Sequence, residues 1–282
     1  MIEFLKFLFR DNCKKKYKLF YFYKRKNKNA GDIFNVDLLE YFNIAYKRSS
    51  KIQNTNLICV GSLLHLLSKP SKRKLLIAGV GFLFPPSGNE CINREVEVLA
   101  LRGKLSKQRM ENMLKKSLNN CVLGDPGLLV SKIYPQTVSK KYKVGIIPHY
   151  ADKEKWNSER IDIKDGNYKI IDIQNDVKDV VREICECECI LSSSLHGLIF
   201  ADSYNIPNRQ LIMSDKVVGE NYKFKDYYSA FGLELPPAID IRKEIIDDSI
   251  IENIINSYIP KDIETKQAEL ERVFETIAEN VK

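Results

Sequence analysis

The stretch Ile190-Leu191-Ser192-Ser193-Ser194-Leu195-His196-Gly197-Leu198-Ile199-Phe200-Ala201-Asp202 restricts the fold of this chain more than any other. An apolar lead-in ends in three serines. Leu195, Leu198 and Ile199 then follow at i, i+3 and i+4, a helical spacing. Strand, polar turn and helix start together aim free backbone N–H groups at an anion. Three hydroxyls and an imidazole add donors and a proton carrier at the same place. A serine N-cap beside a packed histidine would give the same local pattern, so the choice rests on the rest of the chain.

The strand-to-turn pattern recurs. Leu57–Val60 ends at Gly61-Ser62, Leu75–Val80 at Gly81, and Val96–Leu101 at Arg102-Gly103. Strands apolar on both faces indicate a parallel sheet covered on each side. Before them, the aromatic, β-prone run Tyr17–Tyr23 leads into Asn29-Ala30-Gly31-Asp32, where Asp32 reads as a helix cap. A helix is expected over Ile33–Tyr46, with Val36, Leu39, Tyr41 and Phe42 on its apolar stripe, and another over Leu105–Ser117. Cys121–Leu123 reads as a strand running into the turn Gly124-Asp125-Pro126-Gly127. The polar, proline-containing stretch Tyr134–Lys141 marks a boundary. The pattern then restarts with strands at Val144–Ile147 and Tyr168–Ile173, a helix over Val177–Cys187 and a strand over Cys189–Ser192. A helix over His196–Tyr204, a strand over Arg209–Met213 and two helical stretches split by Pro260 follow. The expectation is an α/β protein of two doubly wound units, residues 1–135 and 142–282, with C-terminal helices.

Composition narrows the function classes. The chain is 44% hydrophobic and 29% charged, the balance of a globular protein, and holds no run long and apolar enough to span a bilayer. Met1–Phe9 carries Glu3 and Lys6 and does not read as a signal peptide, so a cytoplasmic protein is expected. Residues 1–28 hold ten Lys and Arg against Glu3 and Asp11, which accounts for the whole net charge of +8. Interleaved with Phe4, Phe7, Phe9, Tyr17, Phe20 and Tyr21, this segment suits an anionic surface; a solvated edge is the plainer alternative. No nucleic-acid-binding motif accompanies the charge, so no nucleic-acid partner is expected. Cys185, Cys187 and Cys189 have no second pair at zinc spacing and read as buried thiols; no metal is expected.

Six motifs then occur in order: Asn29-Ala30-Gly31-Asp32, Leu101-Arg102-Gly103 with Ser106, Leu123-Gly124-Asp125-Pro126, Gly145-Ile146-Ile147-Pro148-His149-Tyr150, Ser192–Gly197, and Lys223-Phe224-Lys225-Asp226-Tyr227-Tyr228. Together they resemble the polysaccharide pyruvyl transferase family, over roughly residues 29–232. The Ile-Ile-Pro-His-Tyr and Ser-Ser-Leu-His-Gly pieces are most similar to the bacterial exopolysaccharide ketal-pyruvate transferases. Other branches carry Arg before Leu-His-Gly, where this chain has Ser194.

The resemblance implies two Rossmann-like domains facing across a cleft, as in GT-B glycosyltransferases. It also implies a reaction in which phosphoenolpyruvate and a sugar diol give a pyruvate ketal and inorganic phosphate, with no cofactor. Phosphoenolpyruvate would need cationic and N–H donors, so Arg102, Lys223, Lys225 and the turn Ser192, Ser193, Ser194, Leu195 and Gly197 are the candidate donor site. Proton transfer needs an acid and a base, for which His196, His149 and Asp32 are candidates. Asn29, Gly31 and Asp125 are candidates on the acceptor side, where a lipid-linked oligosaccharide is expected; Asp32 and Asp125 have plainer readings as a helix cap and a turn residue. His65, on an apolar run, reads as packed. A nucleotide-sugar glycosyltransferase on the same scaffold is the alternative function.

Overall fold

The computed structural model describes residues 16–23, 28–88, 90–153, 160–217, 219 and 221–280. Strands β1 (Tyr17–Leu19), β2 (Tyr46–Arg48), β3 (Leu57–Ile58), β4 (Leu75–Ala78), β5 (Val96–Leu101) and β6 (Val122–Leu123) form one sheet in the order β2-β1-β3-β4-β5-β6. Strands β7 (Tyr142–Ile147), β9 (Tyr168–Ile170), β10 (Cys187–Ser192), β11 (Asn208–Ile212) and β12 (Ile239–Asp240) form a second, in the order β12-β11-β10-β7-β9. The short strands β8 (Ile161–Asp162) and β13 (Ile246–Asp247) pair on their own. Every pairing is parallel. The apolar lead-ins explain this: Leu57, Ile58, Leu75 and Ile77 are wholly buried, as a parallel strand covered on both faces requires.

The helices are α1 (Ala30–Tyr41), α2 (Lys104–Leu114), α3 (Val130–Ile133), α4 (Val177–Cys185), α5 (Leu195–Ser203), α6 (Tyr222–Ser229), α7 (Asp248–Asn256) and α8 (Ile263–Glu279). α1 and α5 pack together between the halves, with Phe34 edge-on to Phe200 at 5.7 Å between ring centroids. Both rings are buried, each contributing roughly 1.5–3 kcal/mol. The Ala30 N–H donates to the Ile173 carbonyl at 2.8 Å, joining the start of α1 to the second half. One apolar cluster therefore runs from Leu19 and Leu38 through Leu198 to Phe274.

Several boundaries differ from expectation, each for a local reason. α1 starts at Ala30 because the Asn29 side chain, not Asp32, caps it by accepting from the Gly31 N–H. It ends at Tyr41 because Asn43 adopts a left-handed φ of 56°, which frees Tyr46 to open β2. Its buried face is Phe34, Leu38 and Leu39, while Val36 is only partly covered and Tyr41 is exposed. α4 stops at Cys185 because the Glu186 carbonyl accepts from the Lys141 and Tyr142 N–H groups, so β10 begins at Cys187 opposite Tyr142. Cys185, Cys187 and Cys189 are buried free thiols whose pKa values burial pushes up to about 12. In the basic segment, residues 1–15 and 24–27 lie outside the described residues. Of its aromatics, Phe20 and Tyr21 are buried in the first half rather than turned outward, and Lys28 pairs with Asp176 at 2.6 Å.

The two helices around Pro260 are present as expected, but α8 crosses back to the first half. Phe274 stacks on Phe42 at 5.4 Å, and Gln267 donates to the Leu128 carbonyl at 2.7 Å. A second tie is ionic. Arg102, just after β5, and Asp226, in α6, are both wholly buried. Arg102 Nε donates to Asp226 Oδ2 at 3.0 Å, Nη1 to Ser62 Oγ at 2.8 Å, and Nη2 to the Phe82 carbonyl at 2.5 Å. Asp226 also accepts from the Ser106 N–H at 2.8 Å and hydroxyl at 2.6 Å. Removing one partner leaves an uncompensated buried charge. Asp226→Ala should therefore lower the unfolding free energy by about 3–5 kcal/mol in urea melts, and Arg102→Met/Asp226→Leu should recover much of that loss. Equal stability of Asp226→Ala and the parent chain would remove the pair from the interface.

Candidate active site

In each sheet the strand order reverses at one place, between β1 and β3 in the first and between β7 and β10 in the second. Open parallel sheets bind ligands beyond the carboxyl ends of strands at such points. Here the two places share one cavity of about 310 Å³. After β1 come Asn29 and Asp32, after β3 Ser62, after β7 His149 and Tyr150, and after β10 Ser194, Leu195 and His196; Lys223 enters from α6. The first turns of α1 and α5 both face it. Their close approach depends on Gly31, where a Cβ would stand 1.9 Å from Cγ of His196.

Electrostatics differ sharply among these groups. Burial is the main cause in each case. It lowers His196 to about 3, helped by the Arg102 and Lys223 charges, and lowers His149 to about 4, helped by Lys223. It raises the Asp32 carboxyl to about 7 against the opposing pull of Lys223, because the side chain touches the cavity yet is walled by protein. It lowers Lys223 to about 8, with Arg102 adding and Asp32 and Asp152 opposing. The site thus holds two neutral imidazoles, a carboxyl near its midpoint at neutral pH and a cation that can lose its proton slightly above it. His196 Nε2 is buried with no partner among the described residues. His149 Nδ1 accepts from the Ala151 N–H at 3.2 Å, which places the ring proton on Nε2.

The serine turn is divided in its work. Ser192 Oγ donates to the Ser194 carbonyl at 2.9 Å and accepts from the Ser194 N–H at 3.0 Å, folding the turn on itself. Gly197 lies against that hydroxyl, where a Cβ would sit 2.3 Å away. Ser193 Oγ accepts from the His149 N–H and donates to Asp152 Oδ2, both at 2.7 Å, and so ties β10 to the His149 loop. Only Ser194 and Leu195 of the turn line the cavity with His196. Of the expected cations, Lys223 is in the cavity, Lys225 is exposed on another face of α6, and Arg102 lies outside the lining, bonded to the lining residue Ser62. Asp125 is wholly buried outside the lining, capping the turn after β6 through the Gly127 N–H at 2.9 Å. Burial raises its carboxyl to about 6.

Phe22, Ser62, Leu83 and Tyr150 also line the cavity, and Asp152 and Asp226 hold Ser193 and Arg102; none of the six was among the expected site residues. Ser62 carried a signal, because it follows a strand-ending glycine, and Tyr150 stood inside a quoted motif. Asp226 likewise stood inside one of the six motifs, but nothing local marked it as the partner of Arg102.

Two parallel sheets thus converge through their switch points on a cavity lined, among the described residues, by one cation and two helix starts, donors of a kind that suit a small anion. Residues 3–209 match the family Polysaccharide pyruvyl transferase, and the chain belongs to that family. It is 29% identical over 223 residues to the uncharacterized protein L143 of Acanthamoeba polyphaga mimivirus, covering 74% of this chain and 73% of that one. It is 25% identical over 220 residues to the succinoglycan biosynthesis protein ExoV of Rhizobium meliloti, covering 77% and 66%. A functionally uncharacterized protein of Klebsiella pneumoniae aligns in space over 85% of this chain and 98% of its own, with a TM-score of 0.46 and 12% identity.

Two outcomes follow from the geometry. Gly31→Ala drives a methyl group into the His196 ring, and a displacement near 1 Å should lower turnover about 10²-fold while circular dichroism stays unchanged. The raised Asp32 carboxyl binds its proton more tightly in the folded chain than in the unfolded one. Its stabilising contribution is present below pH 3.8 and lost as pH rises through about 7. Asp32→Asn should therefore gain in melting temperature, relative to the parent, between pH 4 and pH 8.5. A gain that shrinks over that interval would contradict the assignment.

Proposed function

We propose that this protein is a pyruvyl transferase that forms a pyruvate ketal on a sugar of a surface-polysaccharide precursor, taking phosphoenolpyruvate as donor and releasing phosphate. The observation that carries the reading is the cavity where Lys223, Asp32, His149 and His196 meet the N-terminus of α5. Family membership and the relative named for succinoglycan biosynthesis support the polysaccharide side. Phosphoenolpyruvate is anionic at both ends, and Lys223 with the N–H groups opening α5 and α1 offers donors to such charges.

In this reading one sugar hydroxyl adds to the enol carbon that bears the phosphate, giving its proton to Asp32, ionised above about 7. The second hydroxyl then displaces phosphate from the same carbon, its proton leaving with the phosphate. The bound anion raises the His196 imidazole, and its unpartnered Nε2 then carries a proton to the methylene carbon of the enol. His149 donates from Nε2 toward the phosphate or the leaving oxygen. The acceptor is a lipid-linked oligosaccharide presented at the inner face of the membrane, with the basic residues of 1–28 as the contact. The two halves then work as the facing domains of a GT-B-like enzyme. Phosphate release from phosphoenolpyruvate in the presence of precursor lipid tests the reading. Release of nucleotide from UDP-sugars without phosphate release would instead make the chain a glycosyltransferase.

His196→Ala should lower turnover by at least about 10²-fold. The pH profile of kcat/KM should rise through about 7 as Asp32 ionises and fall above about 8 as Lys223 loses its charge. Asp32→Asn should abolish the rising limb in whatever activity remains. A profile flat from pH 6 to 9 would remove both groups from catalysis.

A further inference from the structure

A second cavity adjoins the first across two shared walls. Leu83 faces the first and Phe84 the second; Ser194 faces the first and Ser193 the second. It encloses about 490 Å³ beyond the carboxyl end of β11, within the span of small-molecule sites. Its lining charges are Arg242 and Asp215, and they cancel. Arg242 Nη1 stands 2.6 Å from Asp215 Oδ1, while Nε and Nη2 hold Asp240 at 2.8 and 2.9 Å. Among the described lining residues no further cation is offered to a phosphate or carboxylate.

What the cavity offers is neutral hydrogen bonding beside an aromatic face. Gln210 is 3% exposed, and its Nε2 donates to Asn221 Oδ1 at 2.7 Å. The other amide atom, Oε1, is buried with no donor among the described residues, a costly state that a ligand hydroxyl would relieve. Phe84 is 40% exposed yet held in place, its ring edge-on to His65 at 5.6 Å and its carbonyl accepting from Arg109 Nη1 at 2.6 Å. A fixed ring and a pair of amides on one cavity wall suit a pyranose, which has an apolar C–H face and an equatorial belt of hydroxyls. The cavity is also wired to the first. Ser214 Oγ on its lining donates to Asp152 Oδ1 at 2.5 Å, and the other oxygen of Asp152 accepts from the Ser193 hydroxyl that holds the His149 N–H.

We propose that this second cavity is a subsite for an uncharged sugar residue, the neighbour in the acceptor of the unit whose hydroxyls reach Asp32. The word acceptor rests on the pyruvyl-transfer reading of the first cavity; the recognition of a neutral sugar does not. The test titrates the full chain, by saturation-transfer NMR, with cellotriose and laminaritriose, and separately with phosphoenolpyruvate and UDP. At least one trisaccharide should bind, and Gln210→Ala and Phe84→Ala should each weaken it about three- to tenfold. Phe84→Tyr should restore it, and affinity for phosphoenolpyruvate should be the same in all. Phe84 is exposed, so its replacement decides the matter even where Gln210→Ala fails to fold. Binding of neither trisaccharide, indifference of that binding to Phe84→Ala, or displacement of the sugar by UDP would overturn the proposal. Trisaccharide binding that depends on Phe84, in a chain that ignores phosphoenolpyruvate, would uphold the sugar subsite and sink the pyruvyl reading alone.

Discussion

The candidate site depends on burying one guanidinium. Arg102 has no exposure, and its charge is tolerable only because Asp226, Ser62 and the Phe82 carbonyl take its donors. That arrangement seats α6 against the first half and so delivers Lys223 to the cavity. It also adds to the electrostatics there. Burial keeps the His196 imidazole neutral, and the charges of Arg102 and Lys223 add to that effect. A negative charge placed beside such an imidazole would raise its pKa, and the proposed acid role of His196 depends on that shift.

The topology explains why chemistry gathers where it does. Each half, taken alone, has an unremarkable switch point. Packed through α1 and α5, the two points coincide, and side chains from four strand ends meet within one volume. The tightest contact in that meeting, Gly31 against His196, lies between the two helix starts. A scaffold of this kind hosts many reactions, so the reading of function rests on the side chains it gathers and on the family, not on the sheets.

Much of this was legible in the sequence, and the exceptions have identifiable causes. The Ser192–Gly197 turn reads directly as strand, turn and helix because its apolar spacing changes period at Ser194. Val96–Leu101 is a strand over its expected span. Arg102 was visible as a cation but not as a buried one, because its partner lies 124 residues away and no local pattern encodes that distance. Lys223 and Lys225 looked equivalent until α6 was known; two residues apart on a helix, they face different ways. The cap of α1 was assigned to Asp32 when Asn29 was as good a candidate by type, and only the Gly31 N–H decides between them. The second cavity had no signature at all, since Gln210 and Phe84 are ordinary residues until the fold brings them to the lining of one cavity.

The return of α8 to the first half bears on how the protein is made. Leu270 packs beside Gly124, Gln267 holds the Leu128 carbonyl, and Phe274 stacks on Phe42. During synthesis on the ribosome the first sheet emerges long before these partners do. Its apolar flank must therefore wait, uncovered, while the whole second half is translated. The contacts of α8 with the first half are thus among the last that synthesis allows to form.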